Sequence, residues 1–419
     1  MSRVLLIASD YKPSPGGIAA YLDSLVRGLI NRSCPSKVLA IVHPEDKERV
    51  AFLSGYEEWV IPFPATYHRR PRNYCLSALV SVLEMLRCLD PRVRRVLDRL
   101  IYFRSSADAI AGLEAVLARE QPEIVVFGHV DLKFDSLAMC LQEHNVPYAI
   151  IAHDVEVYRF SRRQNDLVRR GLIIRGARWV VANSRHTKGL LEQWGIPADR
   201  IGIVNPPLSH EAIRESQEAD WHGCCGPEIF RILTVCRVVK GKGIDIVLRA
   251  LQILNQRGIA FRYVVAGEGV ERKALQELAR DLGVADCVQF TGFIAEREKW
   301  ALFKSSDVFV MPSRVSVNEQ HEGFGLAFIE AGAFGVPSIG TRAGGIPEAV
   351  LDGETGILIR PECPDELADA LTMLHGSPER RLEMGRAAMQ RSRNLFSAET
   401  IADQFLKSVC AEAVSASAD

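Results

Sequence analysis

In the stretch HEGFGLAFIEAGAFGVP, His321 to Pro337, two carboxylates stand around a Gly-Phe-Gly turn: Glu322 and Glu330, with seven residues between them. The apolar, glycine-spaced run that holds Glu330 has the composition of a buried helix. An unpaired buried carboxylate costs several kcal/mol or is forced to take up a proton, so Glu330 needs a partner. Gly323 and Gly325 precede the predicted helix. They leave the backbone amides of Phe324, Gly325 and Leu326 free at its N-terminus, aimed at an anion with no Cβ in the way. A carboxylate about one turn beyond a bound phosphate is a poor phosphate ligand but a good acceptor for a ribose diol. Glu322, ahead of the helix, is placed for whatever lies beyond the phosphates.

Further cations precede this turn in the chain. In CRVVKGKGID a strand passes through two glycines into a helix, setting Arg237 and Lys242 at the carboxyl edge of a sheet, where open α/β folds bind ligands. Two cations divided by glycine turns can clasp a diphosphate, though a lysine-rich surface turn reads the same way. TRAGGIPEAVLDGETGILI, Thr341 to Ile359, gives a strand and a helix joined by Gly344-Gly345, whose backbone can approach a ligand closely. Near the start, DYKPSPGGIAAYLDSLVRGL leaves free amides at Gly16 and Gly17 where a helix begins, a second anion or sugar contact. AHDVE ends another strand on His153 and Asp154, again at a carboxyl edge.

Several chemistries are missing. VVKGKGID lacks the first glycine and the hydroxyl residue of a P-loop, and AGEGVER (Ala266 to Arg272) lacks the third glycine of a dinucleotide fingerprint. The chain has no GxSxG elbow and no Asp-x-Asp, which removes the basis for a hydrolase triad or a two-carboxylate metal clamp. Cys224-Cys225 beside His222 could make half a metal site, but no second ligand pair is spaced to complete it, so no metal is expected. The ten cysteines form no CxxC pair, which suits reduced thiols in a cytoplasmic protein. Lys and Arg number 51 against 52 Asp and Glu, so the overall charge of −1 argues against a nucleic-acid binder.

These residues require sheets to position them. With 419 residues the chain exceeds what one core normally serves, and short β-branched runs alternate with helical patterns through both halves. RVLLIAS, KVLAIVH, EIVVFGH, YAIIAHD, RWVVANS and IGIV read as strands of a first unit. FRILTVCR, FRYVVAGEG, VQFTG, DVFVMPS, PSIGTR and GILI read as strands of a second. The fold class expected is α/β, with two Rossmann-like domains of parallel sheet in tandem. The boundaries read as 1–208 for the first domain, 209–228 for a polar, turn-rich linker and 229–395 for the second. A helix over 396–412 would cross back to the first domain, leaving 413–419 as a frayed tail. One insertion breaks the alternation: between Arg69 and Arg104 nine arginines face Glu84, Asp90 and Asp98. Such a segment could lie on an anionic membrane surface, or simply be a solvated basic face.

Arg237 with Lys242, the Glu322/Glu330 pair, the AGGIPE turn and the GG loop after the first strand, in that arrangement, resemble the GT-B family of retaining, nucleotide-sugar-dependent glycosyltransferases. This is glycosyl transferases group 1, family 4, which includes bacterial mannosyl- and glucosyltransferases and sucrose synthase. The resemblance spans nearly the whole chain, is densest from Arg237 to Ile359, and implies the GT-B arrangement of two Rossmann-like domains with parallel sheets facing an interdomain cleft. It implies hexose transfer from a nucleotide-diphosphate sugar to a hydroxyl of a sugar, glycolipid or small-molecule acceptor, with no metal or other cofactor. Arg237 and Lys242 would hold the diphosphate, helped by Gly323 and the amides of Phe324, Gly325 and Leu326. Glu330 would bind the ribose and Glu322 the transferred sugar. Gly292 and Phe293 would contact the base, Gly16 and Gly17 would line the cleft, and His153 would sit near the reacting centre. The leaving diphosphate itself would take the acceptor's proton on the front face, so no side-chain base is named. The chain departs from the family at NPPLS (Asn205 to Ser209), where an Asn-Gly-Val-Asp turn is common, and in a longer approach to Glu322 that carries Arg314 and Glu319. A glycoside hydrolase would need its two carboxylates on either side of a bond rather than around a phosphate-binding helix start. A sugar-nucleotide epimerase or a non-catalytic binding protein on the same fold is the alternative.

Overall fold

The structure, a computed structural model, describes residues 3–9, 11, 16–42, 46–54, 58–64, 107–131, 134–153, 170–171, 173–218, 229–314 and 322–415. The basic insertion, Asp154, Cys224-Cys225 with His222, Glu319 and the last four residues lie outside these.

The chain divides into two compact units. The first comprises Met1–Ala182, Leu191–Gly202 and Ala402–Asp419; the second comprises Asn183–Leu190 and Ile203–Ile401. The strands of the first sheet are β1 (Val4–Ala8), β2 (Ser36–Val42), β3 (Val60–Pro64), β4 (Ile124–Phe127), β5 (Tyr148–Ala152), β6 (Trp179–Ala182) and β7 (Ile201–Ile203). They lie in the order β3-β2-β1-β4-β5-β6-β7, with β3 to β6 paired in parallel. Leu6 of β1 stands in register with Val38 of β2 and Val126 of β4, and every residue of β1 is buried. A strand covered on both faces reads as a continuous apolar run, which is why VLLIA and IVVF are legible in the sequence. No strand is expected from the sequence at β3, VIPFP, which carries two prolines. They are tolerated here because β3 is the edge of the sheet, where a missing N–H leaves no neighbour unpaired.

The second sheet contains β8 (Phe230–Val235), β9 (Phe261–Ala266), β10 (Val288–Gly292), β11 (Val308–Met311), β12 (Ser338–Thr341) and β13 (Gly356–Ile359). Its order is β10-β9-β8-β11-β12-β13, all parallel. In both sheets the order of the strands reverses direction at the first strand, between β1 and β4 and between β8 and β11. Ligands of open α/β folds bind outside the carboxyl ends of the strands at such points.

The last helix runs Ala398–Ser415, and from Ala402 it belongs to the first unit. There Asp403 pairs with Arg32 at 2.6 Å, and a Cβ added to Gly202 would stand 2.7 Å from that of Ser408, so glycine is what lets the helix approach. Among the described residues no helix is long and apolar enough to cross a membrane.

Candidate active site

At the carboxyl end of β8 the chain leaves the sheet through Cys236 and Arg237 and makes a short 3-10 turn over Lys240–Lys242. Glycines make this exit possible. Gly243 takes a left-handed φ of 70°, and a Cβ there would collide with the Pro312 carbonyl. Cβ atoms at Gly267 and Gly269 would collide with the carbonyls of Cys236 and Val238. The partial fingerprint AGEG is thus explained by packing around the Arg237 turn. Arg314 then fastens the turn from the other side of the switch point. Its backbone N–H bonds Gly241 O at 2.9 Å, and its guanidinium reaches Lys240 O at 2.7 Å and both Asp245 oxygens at 2.7 and 2.6 Å. Glu362 completes the pairing. Burial works to raise the Asp245 pKa, but the Arg314 hydrogen bonds and charge outweigh it and hold the carboxyl below its ordinary value.

The turn presents Lys242 to Glu322, and the two form an ion pair, both side chains largely buried. Burial works to lower the Lys242 pKa; the Glu322 carboxylate outweighs it, and the ammonium is held charged above its usual range. Arg237 is exposed beside them in the chain. Glu322 is itself supported from β12. The Gly345 N–H donates to Glu322 O at 2.9 Å, and Cβ atoms at Gly344 and Gly345 would strike the carbonyls of Glu322 and Gly323. The two glycines of AGGIPE therefore approach the Glu322–Gly323 backbone.

The helix after Glu322 spans Leu326–Ala333 and begins at Gly325, whose φ of 96° and proximity to the Phe328 ring exclude a side chain. Among the described residues no side chain caps its N-terminus. Phe324 is buried against Phe396, ring centroids 5.5 Å apart, so the turn backbone is held from behind. Four residues into the helix, Glu330 is 9% exposed. Its partner is Lys299, Nζ to Oε1 2.9 Å, on the helix Glu296–Lys304. Lys299 also pairs with Glu296 at 3.1 Å and lies 4.2 Å from the Trp300 ring. Stacked contacts of Trp300 and Phe303 with Phe334 lock the two helices together. Each such aromatic pair is worth about 0.5–1.5 kcal/mol beyond its burial. Burial pushes the Glu330 pKa up against the pull of Lys299, and Glu330 and Glu296 together hold Lys299 charged above its usual range. Sequence reasoning missed Lys299: EREKW reads as a solvated helix face, and its partner is 31 residues away.

Gly292 ends β10 with φ 79° and accepts from the Gly267 N–H at 2.9 Å, while the ring of Phe293 stands 73% exposed. A Cβ at Gly292 would press on the Glu268 carboxylate, which pairs with Arg272.

The remaining candidates belong to the first unit. Gly16 and Gly17 are exposed at the start of the helix Gly17–Asn31, and a Cβ on either would meet nothing within 4 Å. His153 follows β5, is buried, donates from Nε2 to Gly128 O at 2.8 Å and meets the Tyr21 ring edge-on at 4.9 Å. Beside it stands a group that sequence reasoning missed. His129, after β4, has Nε2 3.0 Å from Ser9 Oγ, and Ser9 donates to Asp131 at 3.2 Å. The signal was present, since EIVVFGH ends on a histidine and YAIIAHD carries one just before its last residue, but the first of these passes for the end of a strand.

Two units of parallel sheet, with a cation-bearing turn and a glycine-started helix at the switch point of the second, are what the resemblance to GT-B glycosyltransferases implies. The profile described as Glycosyltransferase Family 4 matches residues 15–211, and that described as Glycosyl transferases group 1 matches residues 228–391. The chain belongs to this glycosyltransferase family. It is 28% identical over 396 residues to a GDP-mannose-dependent alpha-(1-6)-phosphatidylinositol monomannoside mannosyltransferase of Mycobacterium tuberculosis, covering 93% of each chain. It is 34% identical over 231 residues to a D-inositol 3-phosphate glycosyltransferase of Pseudarthrobacter chlorophenolicus, covering 53% of each. Among solved structures it is similar to sucrose-phosphate synthase from Thermosynechococcus elongatus, with a TM-score of 0.73 and 19% identity over 99% of this chain and 100% of that one.

Proposed function

We propose that the enzyme moves a hexose, mannose being the first to test, from a nucleoside-diphosphate sugar to a hydroxyl of a sugar or glycolipid acceptor. The observation that carries this reading is the Lys242 to Glu322 ion pair at the N-terminus of a helix started by Gly325, beside a sheet switch point. A donor can exchange with that pair. Its diphosphate meets Lys242, Arg237 and the amides of Phe324 to Leu326, while Glu322, released from Lys242, accepts hydrogen bonds from the sugar hydroxyls. Glu330 lies on the same helix for the ribose, and Gly292 and Phe293 serve the base. Charge that develops on the leaving diphosphate is stabilised by groups already in place, which is where most catalytic power of this kind arises. Gly16, Gly17 and His153 serve the acceptor and the reacting sugar. Transfer proceeds with retention, without metal, the departing phosphate taking the acceptor's proton. Relatives that act on inositol-containing acceptors make such a glycolipid or polyol the acceptor to try first, with the segment Arg69 to Arg104 as its contact with the inner membrane face.

The test begins with calorimetry on UDP and GDP and continues with a screen of the matching sugar donors in the presence of EDTA. Nucleoside diphosphate should be released faster when acceptor is added, and the product anomer, read by NMR, should match the donor. Interconversion of free nucleotide sugars without acceptor would make the protein an epimerase instead, and binding without turnover would make it a binding protein. Loss of turnover in EDTA, restored by a divalent ion, would remove the metal-free part of the reading.

A further inference from the structure

We propose that Nδ1 of His129 accepts a hydrogen bond from a hydroxyl of the sugar acceptor, with Ser9 and Asp131 fixing the imidazole in the tautomer able to do so. This rests on the transferase reading above and adds the acceptor's recognition group. His129 is 5% exposed and packs against the Phe134 ring at 5.1 Å, and its Nδ1 has no hydrogen-bond partner among the described residues. Buried polar atoms are nearly always paired in a folded protein, so an orphan of this kind asks for a ligand.

The proton positions follow from the partners. A carboxylate oxygen accepts, so the single Ser9 hydroxyl proton goes to Asp131 Oδ2 at 3.2 Å. Ser9 Oγ can then bond His129 Nε2, 3.0 Å away, only by accepting. The ring proton is therefore on Nε2, where Asp131 Oδ2 at 3.7 Å also favours it, and Nδ1 presents a lone pair. Ser9 follows β1 and His129 follows β4, so the relay straddles the switch point of the first sheet. His153, one strand further along, bonds the carbonyl of the residue before His129. A lone pair recognises a donor proton. Ionised phosphate oxygens offer none, so this position selects the hydroxylated ring of an acceptor and not its phosphate.

The asparagine and glutamine variants separate the two ring nitrogens. In His129→Asn the amide oxygen can occupy the place of Nδ1, whereas in His129→Gln the amide reaches the place of Nε2 and the acceptor at Nδ1 is lost. Acceptor-dependent nucleoside diphosphate release is measured for the full chain with its best donor. The acceptors are myo-inositol, methyl α-D-mannoside and methyl α-D-glucoside. His129→Gln should raise the acceptor KM by about ten- to a hundredfold, the cost of leaving a substrate hydroxyl unpaired, and His129→Asn should stay within about threefold of wild type. Thermal midpoints are read alongside. A His129→Gln enzyme with wild-type acceptor KM, or an Asn variant as impaired as the Gln variant, overturns the proposal. So does a wild type that hydrolyses its donor but is stimulated by none of these polyols. A wild type that turns over no donor at all brings down the transferase reading first, and this inference with it.

Discussion

At the switch point of the second sheet the charges come in internal pairs: Lys242 with Glu322, Arg314 with Asp245 and Glu362, and further along the same helix Lys299 with Glu330. At the switch point of the first sheet the described groups are imidazoles, a serine hydroxyl and glycine amides, with Asp131 as the carboxylate that orients them. The difference follows from what each edge is proposed to bind. A diphosphate brings negative charge, and a cation already held in place by a carboxylate can be handed over without first being desolvated. An acceptor hydroxyl is neutral, and a ring nitrogen with a fixed tautomer meets it without any charge to bury.

The sharpest way to break the comparison is to remove one half of a buried pair. Lys299→Met leaves Glu330 without its partner and should destabilise the fold by about 3–5 kcal/mol, read from urea unfolding. The pH dependence carries a sign. The folded pKa of Glu330 is raised by burial, so its protonated form favours the fold: that contribution is complete below the ordinary carboxylate range and is lost as pH rises through the folded value. Lys299 opposes the rise, so the Lys299→Met variant should be destabilised most at neutral pH and less as the pH falls. The double variant Lys299→Met/Glu330→Leu should recover most of the stability without recovering affinity for nucleoside diphosphate. A double variant that binds GDP or UDP like the wild type would show that the pair serves the fold alone.

Removing Lys242 tests the other function of a pair. Lys242→Ala should lower kcat/KM for donor turnover by about two to three powers of ten, as loss of a charge-stabilising donor does elsewhere. Full activity would sink the diphosphate assignment. Glu322→Gln isolates the sugar contact, since it leaves the cation in place; its loss should depend on which sugar the donor carries.

How legible these pairs were in the chain depends on how local their cause is. Gly325 was legible because a helix start that needs positive φ leaves its own mark between a turn and an apolar run. The need for a partner at Glu330 was legible too, from a charge in an apolar helix, but the partner was not. Lys299 is brought to it by Trp300, Phe303 and Phe334 packing, a tertiary fact with no periodicity in the sequence. The glycines of AGGIPE read as a place where the backbone meets a ligand, whereas what approaches them in the structure is the backbone of Glu322 and Gly323, which only the sheet order β11-β12 brings near. The same holds for Ser9 and His129, separated by 120 residues and joined by the adjacency of β1 and β4.

Smaller effects sharpen the comparison further. Arg314→Lys keeps the charge but loses the two-pronged hold on Asp245, and should cost about 1–2 kcal/mol of stability. Asp245 has a folded pKa held below its ordinary value, so its contribution is present above the ordinary carboxylate range and lost as pH falls through the folded value. Wild type and Arg314→Lys should therefore converge in stability in acid. A gap that persists once Asp245 is protonated would assign the cost to the guanidinium's contact with the Lys240 carbonyl instead.

The smallest effect belongs to the first unit. Gly16 has φ 144°, a conformation that an L side chain rarely adopts, while Gly17 is the first residue of a helix, and a Cβ on either has open space around it. Gly16→Ala should therefore cost about 1 kcal/mol through backbone strain alone. Gly17→Ala should be neutral or stabilising by a few tenths, roughly up to 1 kcal/mol, because the unfolded chain loses freedom. If this helix start makes close backbone contact with a ligand, both variants should lose turnover whatever their stability, since the space a Cβ fills is the ligand's. Loss of activity in Gly16→Ala only, in step with its thermal midpoint, would mean that the glycine pair shapes the turn and leaves recognition at this edge to the histidines.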